Sequence, residues 1–452
     1  MNTRSKKTMA SLGASVVTVS LLLTGCASGG SDDGGSAEQV SQDDIDAAME
    51  TETTLNFWTW VPDIEDEVAA FEEQYPAIDV QVENVGQGQD HYVKVRAAIA
   101  AGQGAPDVIQ LEYPYIPSFQ LTEDLLDLRP YVGDALDDAF VPWVWNQVTS
   151  DEQILAIPQD TGPMGNLYRD DILSDAGLDG SSETWDDFAT AAETVKDSTD
   201  SYITNLPPND AGVFIGKLWQ AGVKPFQYDG GQEVGVDLDG EQAQEVAAYW
   251  QDLIERDLVS VDPNFTDQWY QGLSNGKYAG WITAAWGPVF LQGTAADTAG
   301  LWRAAPLPQW EEGASVSANL GGSSNAVLAG SENPIAAAKF AEFLNTDPDT
   351  IAQFNTQQSL YPAANELLSS EDFLSVQADF YGGQEVNALF AEVSDTVDAD
   401  FQWLPFQDYV AASFNETLGS AIADRGDLSA GLTAWENDIK RYAEDQGFTV
   451  TE

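Results

Sequence analysis

The sequence predicts an α/β fold, a sheet with helices packed on its faces. Three observations carry that prediction. Strand-like apolar segments alternate with amphipathic helical ones between residues 55 and 111, the β-α-β-α-β rhythm of a layered sheet. Helix start and stop signals fall at the joins. The chain has 452 residues, 43% of them hydrophobic, enough for two or three domains with ample buried core.

Taken in order, the apolar run 55–58 suits a buried strand. Val68, Phe71 and Tyr75 fall on one helical face, and Pro76 ends that helix. Val80 and Val82 alternate with polar neighbours, as a strand does. Tyr92, Val95, Ala98 and Ile99 make a second amphipathic helix, stopped at Gly102, and 107–111 is the next strand. Further on, 154–157 and 167–169 read as two strands. Thr184 with Asp187 three residues later forms a capping box. It opens a helix whose face is Trp185, Phe188, Ala189, Ala192 and Val195. Residues 243–256 are helical and 277–283 strand-like, and Asn333-Pro334 starts a helix carrying Ala337, Phe340, Ala341 and Leu344 on one side. From 347 onward helical patterns dominate, and no internal repeat is visible.

Composition removes whole classes of function. Lys and Arg number 17 against 75 Asp and Glu, a formal net charge of −58. Such a surface repels phosphate backbones and anionic headgroups, so no nucleic-acid partner is expected. With one His and one Cys, a structural zinc cluster, a disulfide framework and a two-histidine metal signature are ruled out by counting. No cofactor and no metal site is expected.

The N-terminus carries an address. Arg4, Lys6 and Lys7 precede an apolar run at 13–23, too short to span a bilayer permanently, and then Leu23-Thr24-Gly25-Cys26. This stretch resembles a bacterial lipoprotein signal. The resemblance implies cleavage before Cys26 and lipid on that cysteine, with 1–25 as signal peptide. Removing 1–25 takes away three positive charges and no acid, leaving the mature chain near −61. The Gly-, Ser- and Asp-rich residues that follow, and the polar acidic stretch after them, read as a flexible tether over 26–51.

Enzyme motifs fail in turn, and no catalytic residue is expected. Gly272-Leu273-Ser274-Asn275-Gly276-Lys277 lacks the spacing and the hydroxyl of a phosphate-binding loop. It contains Ser274-x-x-Lys277, a nucleophile motif in other enzymes, but no K-T-G or S-D-N partner follows, and an Asn-Gly turn leading into a strand explains it. His91 opens a helical stretch, where an exposed polar residue is the default. With 75 acids, any carboxylate pair would serve a glycoside-hydrolase argument, so that signal is uninformative.

The aromatic residues are more telling, because 14 Trp is a large number of rings that are seldom buried in full. Trp58 and Trp60 follow the first strand, and Glu112, Tyr113 and Tyr115 the third. The carboxyl ends of strands are where α/β sheets place ligands. Asp160 and Thr161 follow the strand at Ile157, Trp281 and Trp286 flank a strand-to-loop passage, and Trp403 with Phe406 sits in a late loop. Aromatic platforms beside carboxylates suit sugars, whose C–H faces stack while their hydroxyls hydrogen-bond. Any single Trp serves core packing as readily. Trp185 and Trp435, on regular amphipathic faces, are assigned to the core, and Trp219 and Trp250 lean the same way.

Several segments together resemble the extracellular solute-binding proteins of carbohydrate ABC transporters, the maltose-binding-protein-like family 1. They are Leu55-Asn56-Phe57-Trp58-Thr59-Trp60, Ala101-Gly102-Gln103-Gly104-Ala105-Pro106-Asp107-Val108, and Asp160-Thr161-Gly162-Pro163-Met164 leading to Leu167-Tyr168-Arg169. Asn275-Gly276-Lys277 to Trp286-Gly287-Pro288, Ala305-Pro306-Leu307-Pro308 and Gly321-Gly322-Ser323-Ser324 continue the series in the right order.

The resemblance implies a two-lobed periplasmic-binding-protein-like α/β fold with a hinge between lobes. Lobe one would be 52–158 plus 306–345, and lobe two 159–305 plus 346–452. By position, Trp286 matches an aromatic that stacks on sugar, and Glu112, Tyr113 and Asp160 fall where members present polar contacts. Gly321, Gly322 and Ser323 match a cleft-lining loop, and Trp403 and Phe406 lie near a contact region. Members that bind maltose have an aromatic after the third strand, where this chain has Leu111 and Glu112, so maltose is not implied. The expected function is a lipid-anchored, monomeric component of an ABC importer at the extracellular face of the membrane. It would capture an oligosaccharide and deliver it to permease subunits by binding-driven closure. The alternatives are a surface glycoside hydrolase, or a binding protein for a polyamine, a peptide or an iron chelate.

Overall fold

The computed structural model describes residues 39–150 and 153–451. The signal sequence, Cys26 and the first part of the proposed tether lie outside the described residues.

A seven-stranded sheet organises the chain. Its strands are β1 (Thr53–Trp58), β2 (Ile78–Glu83), β3 (Val108–Glu112), β4 (Ile157–Arg169), β5 (Gly280–Ala284), β6 (Trp302–Pro306) and β7 (Asn319–Val327). They run in the order β6-β4-β7-β3-β1-β2, and β5 also pairs with β4. β1 lies between β2 and β3 and is parallel to both. The two crossovers are helices Glu65–Gln74 and Gln89–Ala101. The first stops as expected at the residue before Pro76, where the ring forbids helical backbone. The second ends on Gly102 at φ 65°, a left-handed cap that glycine adopts freely.

The long strand β4 joins the two halves of the sheet. Its first part pairs with β7, from Ile157 opposite Asn325 to Pro163 opposite Asn319. From Met164 on it pairs with β5, and from Gly165 with β6. Nothing in the sequence joins 154–157 to 167–169, because Gln159-Asp160-Thr161-Gly162-Pro163 reads as a polar break. These residues are buried all the same. β7 satisfies them, for example through Asn319 Oδ1, which accepts from Gly162 N at 2.9 Å. A third segment crosses beside them, where Thr161 N donates to the Tyr361 carbonyl at 2.8 Å.

Other expectations hold with shifted ends. Thr184 caps helix Trp185–Ser198 and accepts from Asp187 N. The helix read at 243–256 is Glu241–Glu255, and the strand read from 277 starts at Gly280 because Gly276 first caps helix Asp267–Asn275. Pro334 begins helix Pro334–Thr346. After it, Thr449–Thr451 is the single strand among the described residues, in a small sheet with Phe226–Tyr228 and Glu233–Val236. Trp185, Trp219, Trp250 and Trp435 are all buried in the core.

Part of the stretch expected to be tether is folded. Residues Gln42–Met49 form a helix capped by Ser41, whose hydroxyl accepts from Asp44 N. Ile45 and Met49, one turn apart, supply its apolar stripe against helix Pro334–Thr346, and Val40 N donates to the Pro130 carbonyl at 2.8 Å. An amphipathic stripe of two residues is too brief to read from an acidic background.

Candidate functional site

Three strands bring polar side chains into one row. Ser323 on β7 stands opposite Glu112 on β3 and opposite Asp160 on β4. Its backbone N and its Oγ donate to Asp160 Oδ1 at 3.0 and 2.5 Å. Gln110, one strand alternation before Glu112, donates to Ser323 Oγ at 2.9 Å. Its side-chain carbonyl accepts from Thr59 Oγ1 and Trp60 N at 2.7 and 3.0 Å. Tyr113 Oη donates to the Asp160 carbonyl at 2.8 Å, and Tyr92 Oη donates to Glu112 Oε2 at 2.9 Å.

The row crowds negative charge in a desolvated place. Burial pushes the Glu112 carboxyl up to about 7, against the opposing Tyr92 hydrogen bond, and the charges of Asp160 and Asp408 push it further. Burial likewise raises Asp160 to about 6, with the Ser323 donors pulling back. Asp408, on helix Gln407–Glu416, is itself raised by burial and opposed by Arg96 and Gln89. Near neutral pH Glu112 therefore both accepts and, in its protonated fraction, donates hydrogen bonds.

Two glycines let the backbone close on this row. Gly322 has φ 87°, and a Cβ there would lie 2.7 Å from the Asp160 carbonyl oxygen and 2.9 Å from Tyr113 Cε2. Gly321, at φ 81°, faces Trp286, whose Nε1 would be 3.3 Å from an added Cβ. That Nε1 donates to the Leu320 carbonyl at 2.7 Å, so the half-buried Trp286 ring is fixed beside the same loop.

His91 is fully buried rather than exposed. Its ring meets the half-buried Trp60 edge-on at 5.0 Å, and burial holds its pKa down at about 4. The helix start turns inward here because His91 and Tyr92 pack under Trp60.

Glu112, Tyr113, Asp160, Gly322 and Ser323 are therefore in direct contact, with Trp60, Gly321 and Trp286 joined at the edges. The other three expected residues stand apart. Trp58 is half-buried against the core, in register with Glu83 and Ile109. Trp403 packs on Phe401 and donates to Gln147 Oε1 at 2.6 Å, and Phe406 packs on Tyr442 and Phe448. The sequence did not single out Tyr92, Gln110 or Asp408. A polar Gln in the middle of a buried strand was a readable signal, whereas Asp408 is one acid among 75. Ser274 and Lys277 do not face each other: Ser274 Oγ donates to backbone carbonyls, and Lys277 pairs with Asp262.

The model of the bacterial extracellular solute-binding protein family matches residues 59–351, a span that holds the whole row. The chain belongs to this family. The chain is 29% identical over 380 residues to the arabinooligosaccharide-binding protein of Halalkalibacterium halodurans, covering 80% of this chain and 82% of that one. It is 27% identical to the lactose-binding protein of Rhizobium radiobacter, covering 76% and 82%. Among solved structures, it resembles the ABC transporter associated binding protein from B. animalis subsp. lactis Bl-04 in complex with β-1,6-galactobiose. The TM-score is 0.77 at 32% identity, over 89% of this chain and all of that one. The fold is thus the two-lobed α/β fold of sugar-binding proteins.

Proposed function

We propose that this solute-binding protein captures an oligosaccharide between its lobes, around Glu112, Asp160 and Trp286, and delivers it to the membrane subunits of an ABC importer. The observation that carries the reading is the hydrogen-bonded row of two carboxylates with raised pKa beside a fixed Trp ring. Carboxylates take sugar hydroxyls, and the ring takes a sugar face. The named sugars of the relatives support the same class. The partner change along β4 near Pro163, five residues past the expected limit, supports the lobes proposed from the sequence, 52–158 plus 306–345 and 159–305 plus 346–452. Ligand contacts from both sides would favour the closed state by their differential affinity. Lipid on Cys26, a membrane-face location and a monomeric state complete the proposal.

Calorimetric titration of the body from residue 39 onward with di- and oligosaccharides tests it. Saturable binding of an unhydrolysed sugar is expected, weakened about tenfold or more by Trp286→Ala, the upper range of an aromatic contact. A flat titration across pentose and hexose oligomers would sink the sugar reading, and released monosaccharide would sink the binding-only mechanism.

A further inference from the structure

The aromatic platform continues past Trp286. Phe265 and Phe290 are 44% and 42% exposed, and both rings lie against Trp286, with centroids 6.3 and 5.5 Å from it. Their own separation is 6.4 Å, so the three rings form one compact shelf, stepped rather than flat, with Phe265 tilted 37° and Phe290 76° from the Trp286 plane. Phe290 rides on helix Gly287–Thr294, immediately after Trp286.

Phe265 is held in an unfavourable shape. Its φ is 62°, the left-handed region that a bulky residue seldom enters. Both neighbours are pinned. Asn264 N donates to Asn209 Oδ1 at 2.9 Å, and Asn264 Oδ1 accepts from Asn205 Nδ2 at 2.9 Å. On the other side, Thr266 Oγ1 accepts from Trp269 N and caps helix Asp267–Asn275. A clamped, strained residue whose ring is left largely in water is a pattern found at contact sites.

A carboxylate completes the surroundings. Asp210 accepts from Val213 N at 3.3 Å and is hydrogen-bonded by the Asn264 side chain, next door to Phe265. A Cβ at Gly212 would fall 3.3 Å from Asp210 Oδ1 and 2.8 Å from Leu320 Cδ1. Asp210 therefore lies beside Leu320, whose carbonyl holds Trp286.

We propose that Phe265 and Phe290, continuing from Trp286 and with Asp210 as acceptor, form an outer subsite for a further sugar ring of an oligosaccharide extending from the Glu112–Asp160 row. The inference rests on the oligosaccharide reading above and adds ligand length to it: the preferred ligand has at least three units. The size of the shelf favours a sugar ring over a protein partner. The two exposed rings offer roughly 170 Å², against the roughly 800 Å² that a stable protein interface takes from each side.

The test is calorimetric titration with β-1,6-linked galactose oligomers of two, three and four units, and with arabino-oligosaccharides of the same lengths. The native chain should bind the longer oligomers more tightly. Phe265→Gly and Phe290→Ala should each lose about three- to tenfold for the longer ones, the range of a single aromatic contact, with disaccharide affinity unchanged. Phe265→Gly keeps the fold accessible because glycine adopts φ 62° without strain. Its melting temperature should stay at the native value or rise.

Equal losses for short and long oligomers, or no loss for either, would overturn the outer subsite and leave the oligosaccharide reading standing. Intact sugar binding with impaired sugar-stimulated ATP hydrolysis by the permease would overturn it in favour of a permease contact. No binding of any oligomer by the native chain would overturn the oligosaccharide reading, and the outer subsite with it.

Discussion

Replacing Glu112 by glutamine should remove most of the pH sensitivity that the site imposes on the unliganded fold. Burial, with the charges of Asp160 and Asp408 behind it, lifts this carboxyl from 4.5 to about 7. The folded state therefore holds the proton more tightly than the unfolded chain does. Its contribution to stability is complete below about pH 4.5 and is lost as pH rises through about 7. At about 1.4 kcal/mol for each tenfold change in acidity, the full span is roughly 3 kcal/mol. Part of it belongs to the pair with Asp160 rather than to Glu112 alone, so about 2 kcal/mol is expected for the single replacement. The amide of Glu112→Gln keeps the shape of the protonated acid and still offers an acceptor to Tyr92 Oη. Urea unfolding of both proteins at about pH 4.5, 6 and 8 measures the difference, and comparison at equal pH cancels the titrating groups that are not coupled to Glu112. The variant should match the native protein within a few tenths at about pH 4.5 and exceed it by about 2 kcal/mol at about pH 8. Parallel curves would refute the claim that the row desolvates this charge.

Three further outcomes follow from the same geometry. Gly322→Ala forces a Cβ to 2.7 Å from a carbonyl oxygen at φ 87°. It should cost at least about 2 kcal/mol by chemical unfolding, whereas Gly104→Ala, at φ 75° with nothing within 4 Å, should cost about 1 kcal/mol. His91 acts with the opposite sign to Glu112. Its pKa is lowered by burial from 6.5 to about 4, so stability is lost as pH falls from about 6.5 towards 4. His91→Gln should flatten that acid limb, which a melting series between about pH 7 and 4 would read. Deleting residues up to 51 strips helix Gln42–Met49 from helix Pro334–Thr346. Loss of the Met49 and Ile45 contacts should cost about 1–3 kcal/mol, seen as a lower urea midpoint than that of a chain starting at residue 39.

The alternation of short apolar runs and amphipathic faces made the first three strands and their two crossover helices legible, with ends displaced by a residue or two. The same reasoning split β4, because Asp160, Thr161, Gly162 and Pro163 look like a loop until β7 and Tyr361 supply partners far away in sequence. Burial of His91 was hidden for a related reason: one imidazole at a helix start reads as exposed, and only the approach of Trp60 covers it. Position after a strand located Glu112, Tyr113 and Asp160, and the resemblance brought Gly322 and Ser323 to the same row. The loop aromatics Trp403 and Phe406 were harder to place, since a ring in a loop looks alike whether it meets Phe401, Tyr442 or a ligand.

The short N-terminal helix also bears on encounter rates. With Cys26 as the proposed attachment point, a tether running to residue 52 would have a contour limit of about 90 Å, whereas one ending at Val40, where the chain docks beside Pro130, is limited to about 50 Å. With that attachment, the half-space within reach would shrink about sixfold, and the effective concentration of the protein at a nearby permease would rise in proportion. Because the helix docks on helix Pro334–Thr346, within proposed lobe one, the proposed anchor would bear on that lobe alone.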